Sequence, residues 1–419
     1  MKLIIAAVIG SIFELFDFVT FMLLLPILIK VFFPVHLQGN GGWWISYLII
    51  TISYFLRPVG GIILGHIGDK YGRKSVFSIT LLMMSLPSLL LSLLPGYNSI
   101  GYLSIVFLIL IRILQGFSVG GEVPGSITYV AEKFQNSRNY FFACAWLTFG
   151  ANVAVAIANQ SIRFINYHWS EQFMLSYGWR IPFLLSTFLL IIGVYIRKYI
   201  SESTEYKKIK HKAHTIPLLE LVSKYKSYLL SSILLAVTVS AITAIFHLFL
   251  PIAFAHYYNF KFIDLTKISS LGAITMAIGS LLSGYLTKYL SPLLIVIISL
   301  LSLIAVFSIL SFNYFTIDIL NDLYIVEFTV SLLLAGVNGI FFGLLADIFP
   351  VYIRYSGIAL SYNIAYILGA GVAPLWAELI LKFTQHYQFI MLVCGLICLL
   401  SLINTIYLST VLRYNNISY

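Results

Sequence analysis

The sequence predicts an all-α protein embedded in a membrane, and three observations carry that prediction. Of its 419 residues 60% are hydrophobic and only 10% are charged, against roughly a half and a quarter in soluble domains. The apolar residues gather into about twelve runs, each close to the roughly 20 residues a helix needs to cross the hydrocarbon layer. The basic residues fall mainly in short loops between those runs. A net charge of +10 would point to nucleic acid in a soluble chain; here it is a topology signal, so lipid is the expected partner and nucleic acid is not.

In chain order, the first run covers 3–31. It contains Glu14 and Asp17, which the short apolar core of a cleaved signal peptide would not tolerate, so it is expected to stay as a helix. The next runs are 43–65, opened by Trp43 and Trp44 as interfacial anchors, then 75–94, 101–130, 141–165 and 180–200. Residues Ser201–Lys226 are polar and carry nine charges, Glu202, Glu205, Lys207, Lys208, Lys210, Lys212, Glu220, Lys224 and Lys226. Six further runs follow at 227–255, 265–287, 292–313, 324–349, 356–381 and 386–412. The expected organisation is a six-helix bundle over 1–200, a cytoplasmic linker over 201–226 and a second six-helix bundle over 227–419. Such paired sets of six are the hydropathy pattern of parallel halves related by an axis along the membrane normal.

With the amino terminus placed inside, seventeen Lys and Arg residues fall on the cytoplasmic side and six on the other, while Arg57 and Arg112 lie within the membrane. That bias predicts that both termini are cytoplasmic. Cys144, Cys394 and Cys398 lie inside apolar runs and read as small packing residues. Without His/Cys metal spacing, a nucleophile–base arrangement or a Gly-rich phosphate loop, the sequence predicts no metal, no cofactor and no enzyme. A signalling receptor would need an output module, and no stretch outside the runs is long enough for a folded domain.

Between the second and third runs stands GHIGDKYGRK, Gly65–Lys74. It resembles the signature loop of the major facilitator superfamily, with Gly65, Gly68, Asp69, Gly72, Arg73 and Lys74 at the family spacing. The resemblance implies a latch that favours one of two gate positions; its glycines permit a tight turn and close helix approach. The fourth run, RILQGFSVGGEVPGS from Arg112 to Ser126 followed by Tyr129, Ala131 and Glu132, resembles the metabolite:proton symporter branch of that superfamily. So do GSIFELFDF (Gly10–Phe18), the group Arg57, Pro58, Gly60 and Gly61, and FPVYIRYSGIALSYNIAYILGAGVAP (Phe349–Pro374). Glu202, Ser203 and Tyr206 fit the branch's linker start, although Thr204 stands where proline is usual. Other departures are the second-half counterpart of the signature, GYLTKYLSP (Gly284–Pro292), which lacks the aspartate and arginine pair, and Asp347, where relatives often have glutamate. Some osmosensing members carry a long carboxy-terminal coiled coil, for which the few residues after the last run leave no room.

Ionisable side chains deep in a bilayer are costly and by default face a cavity or one another. Glu14, Asp17, Arg57, Arg112 and Glu122 lie well inside their runs, whereas Glu327, Asp347 and Glu378 lie near predicted helix ends, within reach of headgroups. The deep set is thus expected only in the first half. Glu14 and Asp17 share a helical face, and two adjacent carboxylates in a low dielectric cannot both ionise cheaply. Simple pairing of three acids with two arginines leaves one acid over, the expected proton carrier, with Asp17 or Glu14 preferred to Glu122. A static ion-pair network is the competing reading. Arg112, whose planar fork suits a carboxylate, is the expected substrate contact, with Asp17, Phe18, Tyr362 and Asn363 beside it. Arg57 is expected to support the gate, together with Gly65, Gly68, Asp69, Gly72, Arg73, Glu132 and Arg354. His247, mid-run among apolar neighbours, reads as a hydrogen-bonded packing residue.

The resemblance is strongest to proline and betaine transporters. It implies a monomeric proton-coupled symporter in a bacterial cytoplasmic membrane, importing a small zwitterion or carboxylate by alternating access. A dicarboxylate symporter for 2-oxoglutarate or citrate is the alternative, with Arg57 as its second arginine.

Overall fold

The computed structural model describes residues 2–38, 40–71, 73–135, 137–197, 217–257, 260–312 and 319–414. Helices and short turns account for them, and no strand occurs among the described residues. In lipid every backbone N–H and C=O must be paired internally, which a helix achieves within one segment.

The first half comprises α1 (Lys2–Leu23), α2 (Leu25–Phe32), α3 (Asn40–Tyr71), α4 (Arg73–Leu93), α5 (Leu103–Phe134), α6 (Tyr140–His168) and α7 (Arg180–Arg197). A short helix α8 (Pro217–Lys224) ends the linker; residues 201–216 of that linker lie outside the described residues. The second half comprises α9 (Lys226–Thr243), α10 (Leu250–Tyr257), α11 (Phe262–Leu286), α12 (Pro292–Phe312), α13 (Ile319–Ile348), α14 (Arg354–Tyr366), α15 (Ala373–Thr384) and α16 (Gln388–Tyr414). Among the described residues nine helical spans are long and apolar enough to cross a membrane, and the bent pair α1–α2 forms a tenth. With α4 and α7 the crossings number twelve, at the positions the hydropathy runs predict. Their outward faces carry bare apolar side chains such as Leu103, Leu282, Ile309 and Leu400, a surface suited to lipid and not to water.

Proline breaks three of these crossings in ways that matter for the interior. α1 and α2 meet at a 65° bend just before Pro26, which cannot donate to the helix ladder. π-helical turns join α9 to α10 (Ala244–Phe249) and α14 to α15 (Ile367–Gly371), ahead of Pro251 and Pro374. Pro251 lacks the N–H that would close onto the His247 carbonyl four residues earlier, and the Ser269 hydroxyl donates to that carbonyl instead, at 2.7 Å. The Gly371 carbonyl likewise accepts from the Thr51 hydroxyl at 3.1 Å.

Gly65–Lys74 is not the extended loop its glycines suggest. Gly65–Tyr71 continue α3 and Arg73 opens α4; Gly72 lies outside the described residues, as do the side chains of Asp69 and Arg73. Gly65 serves close packing: a Cβ there would lie 3.2 Å from the Tyr355 ring. The crossing of α3 over α5 is tighter still. Gly60, Gly116 and Gly120 each meet the opposing backbone, and a Cβ on Gly120 would stand 2.8 Å from both the Arg57 carbonyl carbon and the Gly61 nitrogen. Small residues at such seams let transmembrane helices approach to backbone contact.

The halves meet along α6 against α11 and α13, and along α3 and α5 against α14. Polar bonds tie them at one end of the interior: Tyr355 donates to the Gly121 carbonyl at 2.7 Å, Asn363 to the Gly120 carbonyl at 2.8 Å, Tyr140 to the Gly343 carbonyl at 3.1 Å and Arg354 to Gln135 Oε1 at 3.0 Å. Thr51 of α3 bonds Gly371, at the end of the π turn that follows α14. Sixteen residues separate Tyr355 from Gly371, about 24 Å of helix.

Candidate functional site

Between these bonds lies a cavity of about 70 Å³. Both halves line it: Ser11, Leu15, Tyr54, Thr148 and Asn152 from the first, Ser240, Thr243, Asn338, Phe342, Tyr362 and Tyr366 from the second. Aromatic rings form much of the wall. Tyr362 and Tyr366, one turn apart on α14, have ring centres 4.1 Å apart, and Phe342 stands 6.1 Å from Tyr362. No Asp, Glu, Lys, Arg or His is among its described lining residues.

The buried charges of the first half stand behind this wall. Leu15 and Val19 face the cavity; Asp17, two residues from each, points to the opposite side of α1, into the bundle of α4, α5 and α7. There Gln115 donates to Asp17 Oδ2, while Arg112 donates to Gln115 Oε1 at 2.6 Å. Asp17 and Arg112 are therefore bridged by a neutral amide and are not in direct contact. Gln115 lies within the quoted fourth-run motif, but a neutral residue has no place in a ledger of charges, and the bridge appears only when α1 and α5 are packed.

The arginines are held by rings. Arg112 lies 4.4 Å from the centre of Phe18 and 4.1 Å from that of Phe21; Arg57 lies 4.2 Å from Tyr54, 4.8 Å from Phe18 and 5.8 Å from Tyr366. Guanidinium groups are attracted to aromatic faces. Phe18 and Tyr54 meet edge to face at 4.8 Å, so a continuous aromatic layer separates Asp17 and Arg112 from the cavity and also touches it through Tyr54. Several polar atoms here lack hydrogen-bond partners, among them Asp17 Oδ1 and the Nε and one terminal nitrogen of each arginine. Buried unsatisfied groups are rare in folded proteins.

Of the remaining expected site residues, Tyr362 lines the cavity, whereas Asn363 faces α5 and bonds Gly120. Glu122 is buried and accepts from the Thr80 hydroxyl on α4. Glu132 is buried at the end of α5, and Arg354, bonded to Gln135, joins that end to α14. Gly68 lies within α3. The side chains of Glu14, Trp43 and Trp44 lie outside the described residues.

Two expectations need correction. Glu327 is not near a helix end: α13 begins at Ile319, eight residues earlier, and the side chain is 6% exposed with Oε1 3.3 Å from His247 Nε2. His247 accordingly does not sit among apolar neighbours alone, since Ser331 Oγ is also 3.0 Å from its Nε2. The helix extends five residues ahead of the apolar run at 324–349, so residue 327 lies well inside it, while the hydrogen bond expected of His247 is made with Ser331. Deep ionisable groups thus occur in both halves.

Two bundles closed around a central polar cavity within lipid define a secondary transporter. The family model for the Major Facilitator Superfamily matches residues 7–359, and the chain belongs to that superfamily. It is 28% identical over 419 residues to the glycine betaine/proline/ectoine/pipecolic acid transporter of Dickeya dadantii, covering 94% of this chain and 82% of that protein. It is also 28% identical over 425 residues to the proline/betaine transporter of Salmonella typhimurium, covering 96% and 83%. Among solved structures, the proton:xylose symporter XylE bound to 6-bromo-6-deoxy-D-glucose superposes with a TM-score of 0.76 at 14% identity, over 96% of this chain and 94% of that one. A partially occluded inward-open XylE from E. coli gives a TM-score of 0.70 at 13% identity, over 100% and 99%. At such identity these structures establish the shared fold alone. The chain is a multi-pass transporter of that superfamily, not an enzyme.

Proposed function

We propose that this chain imports a small zwitterion of the proline or betaine type together with protons, by alternating access, in a bacterial cytoplasmic membrane with both termini inside. The observation that carries the reading is the neutral, aromatic cavity between the halves. A solute with two net negative charges would need cationic partners in a site that excludes bulk water. A zwitterion has no net charge to neutralise. Its ammonium or quaternary nitrogen suits the faces of Tyr362, Tyr366 and Tyr54, and its carboxylate can accept from tyrosine hydroxyls, Thr148, Asn152 and Asn338. The relatives' names favour the same class.

Asp17 is the proposed proton carrier of the first half. Its carboxyl communicates with the cavity through Gln115, Arg112 and the Phe18–Tyr54 layer, so gain or loss of its proton alters how Arg112 and Arg57 rest on those rings. In this conformation Arg112 is turned away from the cavity, and its contact with a solute carboxylate belongs to another stage of the cycle. The proposed domain limits are 1–200 and 227–419, with the protein acting as a monomer.

The test is uptake of radiolabelled proline, betaine, 2-oxoglutarate and citrate into vesicles, with and without an uncoupler. Expected is accumulation of proline or betaine that collapses when the proton gradient is dissipated. Uptake unaffected by the uncoupler would remove proton coupling, and accumulation of only the two acids would remove the zwitterion.

A further inference from the structure

The second half contains a buried ionisable pair that the proposed mechanism does not use. His247 lies in the π-helical turn Ala244–Phe249, and Glu327 faces it from α13; their side chains are 1% and 6% exposed. Ser331, one turn beyond Glu327 on the same face of α13, places its hydroxyl 3.0 Å from the same imidazole nitrogen. The neighbouring helix is cut to fit them. A Cβ on Gly272 of α11 would stand 2.8 Å from both Cγ and Cδ of Glu327, so the glycine leaves the carboxyl its present place against α11. Ser269, on the same helix, holds the carbonyl freed by Pro251 and so fixes the His247 backbone. π-helical turns inside transmembrane helices often mark functional positions.

Glu327 also lines a second, small cavity of about 30 Å³ between Phe246, Phe254, Leu265, Leu310 and Tyr387. It is the one carboxyl among the described lining residues, and its Oε1, like His247 Nδ1, has no hydrogen bond. The charged groups on the surrounding elements are engaged elsewhere. Asp264 and Lys267 pair at 2.5 Å at the start of α11, Tyr257 of α10 donates to Glu378 of α15 at 2.6 Å, and Asp17 of α1 is bridged to Gln115. Asp322 and Asp347 lie near the two ends of α13, Lys226 opens α9, and His256 lies near the end of α10.

An isolated ion in such surroundings costs several kcal/mol even after relaxation. Carboxyl and imidazole together avoid that cost by sharing one proton, as neutral acid and neutral imidazole or as carboxylate and imidazolium, with the pair uncharged in either form. A second proton, or none, leaves a net charge in an apolar wall. The two groups therefore titrate as a unit. We propose that His247 and Glu327 form a second proton-binding site, in the second half of the transporter, that releases its proton when water enters the adjoining cavity. On release the carboxyl O–H bond breaks, its electron pair stays on the carboxylate and the proton passes to water.

This inference rests on the reading of the chain as proton-coupled but not on the identity of its solute or on Asp17. The test is infrared titration of the purified, lipid-reconstituted protein without solute, following the C=O stretch of protonated carboxylic acids as pH is raised. Expected is a component that disappears on titration and is missing in Glu327→Gln. His247→Gln should keep that component but displace its midpoint by about one pH unit or more, the scale of coupling that makes two groups titrate together. Ser331→Ala, which removes neither ionisable group, should displace it in a correctly folded protein should Glu327→Gln fail to fold. Asp17→Asn should delete a different component and leave this one in place, so the two sites stand or fall separately. A Glu327 component that persists at every pH the folded protein withstands, or a midpoint unmoved in both His247→Gln and Ser331→Ala, would overturn the proposal.

Discussion

At the scale of single residues, Gln115 controls the first-half network because it is neutral and has both a donor and an acceptor. Its amide nitrogen serves Asp17 and its oxygen serves Arg112, so one side chain couples a buried acid to a buried base without allowing them to form an inert pair. Gln115→Leu leaves both charges short of a partner. The expected loss is about 1 to 3 kcal/mol of stability, the desolvation cost of an unmade buried hydrogen bond, with concentrative uptake reduced about tenfold or more, read by thermal unfolding and vesicle transport. A variant that concentrates solute normally would remove Gln115 from the coupling path. In the cavity, Tyr366→Phe keeps the ring and should leave KM nearly unchanged, whereas Tyr366→Ala should raise it about 3- to 30-fold, the range of a partly to fully desolvated cation–aromatic contact. Equal effects of the two would assign the hydroxyl, not the face, to the solute.

The elements owe their placement to glycine and proline more than to the apolar side chains that define them as spans. α3 and α5 touch backbone to backbone at Gly60, Gly116 and Gly120, which brings both Arg57 and Arg112 to the Phe18 ring. Gly120→Val inserts a branched side chain against the Arg57 carbonyl and the Gly61 nitrogen. The expected outcome is loss of folded protein, measured as monodisperse yield in detergent, since neither backbone can withdraw without parting the crossing. Recovery of folded protein at wild-type yield would show that the seam tolerates separation. The proline-linked π turns work in the other direction. Pro251 frees the His247 carbonyl in the turn after α9, and the Ser269 hydroxyl that caps it, like the Thr51 hydroxyl on the Gly371 carbonyl, ties a broken helix to a neighbour.

For the whole molecule, the hydrogen bonds between halves describe a state closed on both sides of the cavity. Apart from the bond donated by the charged Arg354, each is a neutral bond worth about 0.5 to 1.5 kcal/mol net, small enough for a population to be tipped by a few of them. Removing Tyr355–Gly121 and Asn363–Gly120 together, with Tyr355→Phe and Asn363→Ala, should open the end of the cavity near Arg354. The readout is labelling of a cysteine placed at Asn338, a cavity position, by a thiol reagent supplied from the cytoplasmic side. Cys144, Cys394 and Cys398 are buried and contribute little background. Labelling is expected to rise about fivefold or more for the double variant, and an unchanged rate would mean that closure rests on packing of α6 against α11 and α13 instead.

The membrane class, the twelve crossings and their limits to within a few residues were legible in the amino-acid sequence, because burial in lipid imposes a length and a composition on every span independently of its neighbours. The family resemblance was legible in short motifs for a similar reason, since each motif is local. What the folded structure decided was direction. Asp17 and Arg112 turned out to face the bundle and not the cavity, Gln115 to join them, and Glu327 to find His247 eighty residues away in the chain. A helical run states how deep a side chain lies but not toward which neighbour it points; that depends on how each helix is rotated and where proline or glycine bends it, which packing alone sets.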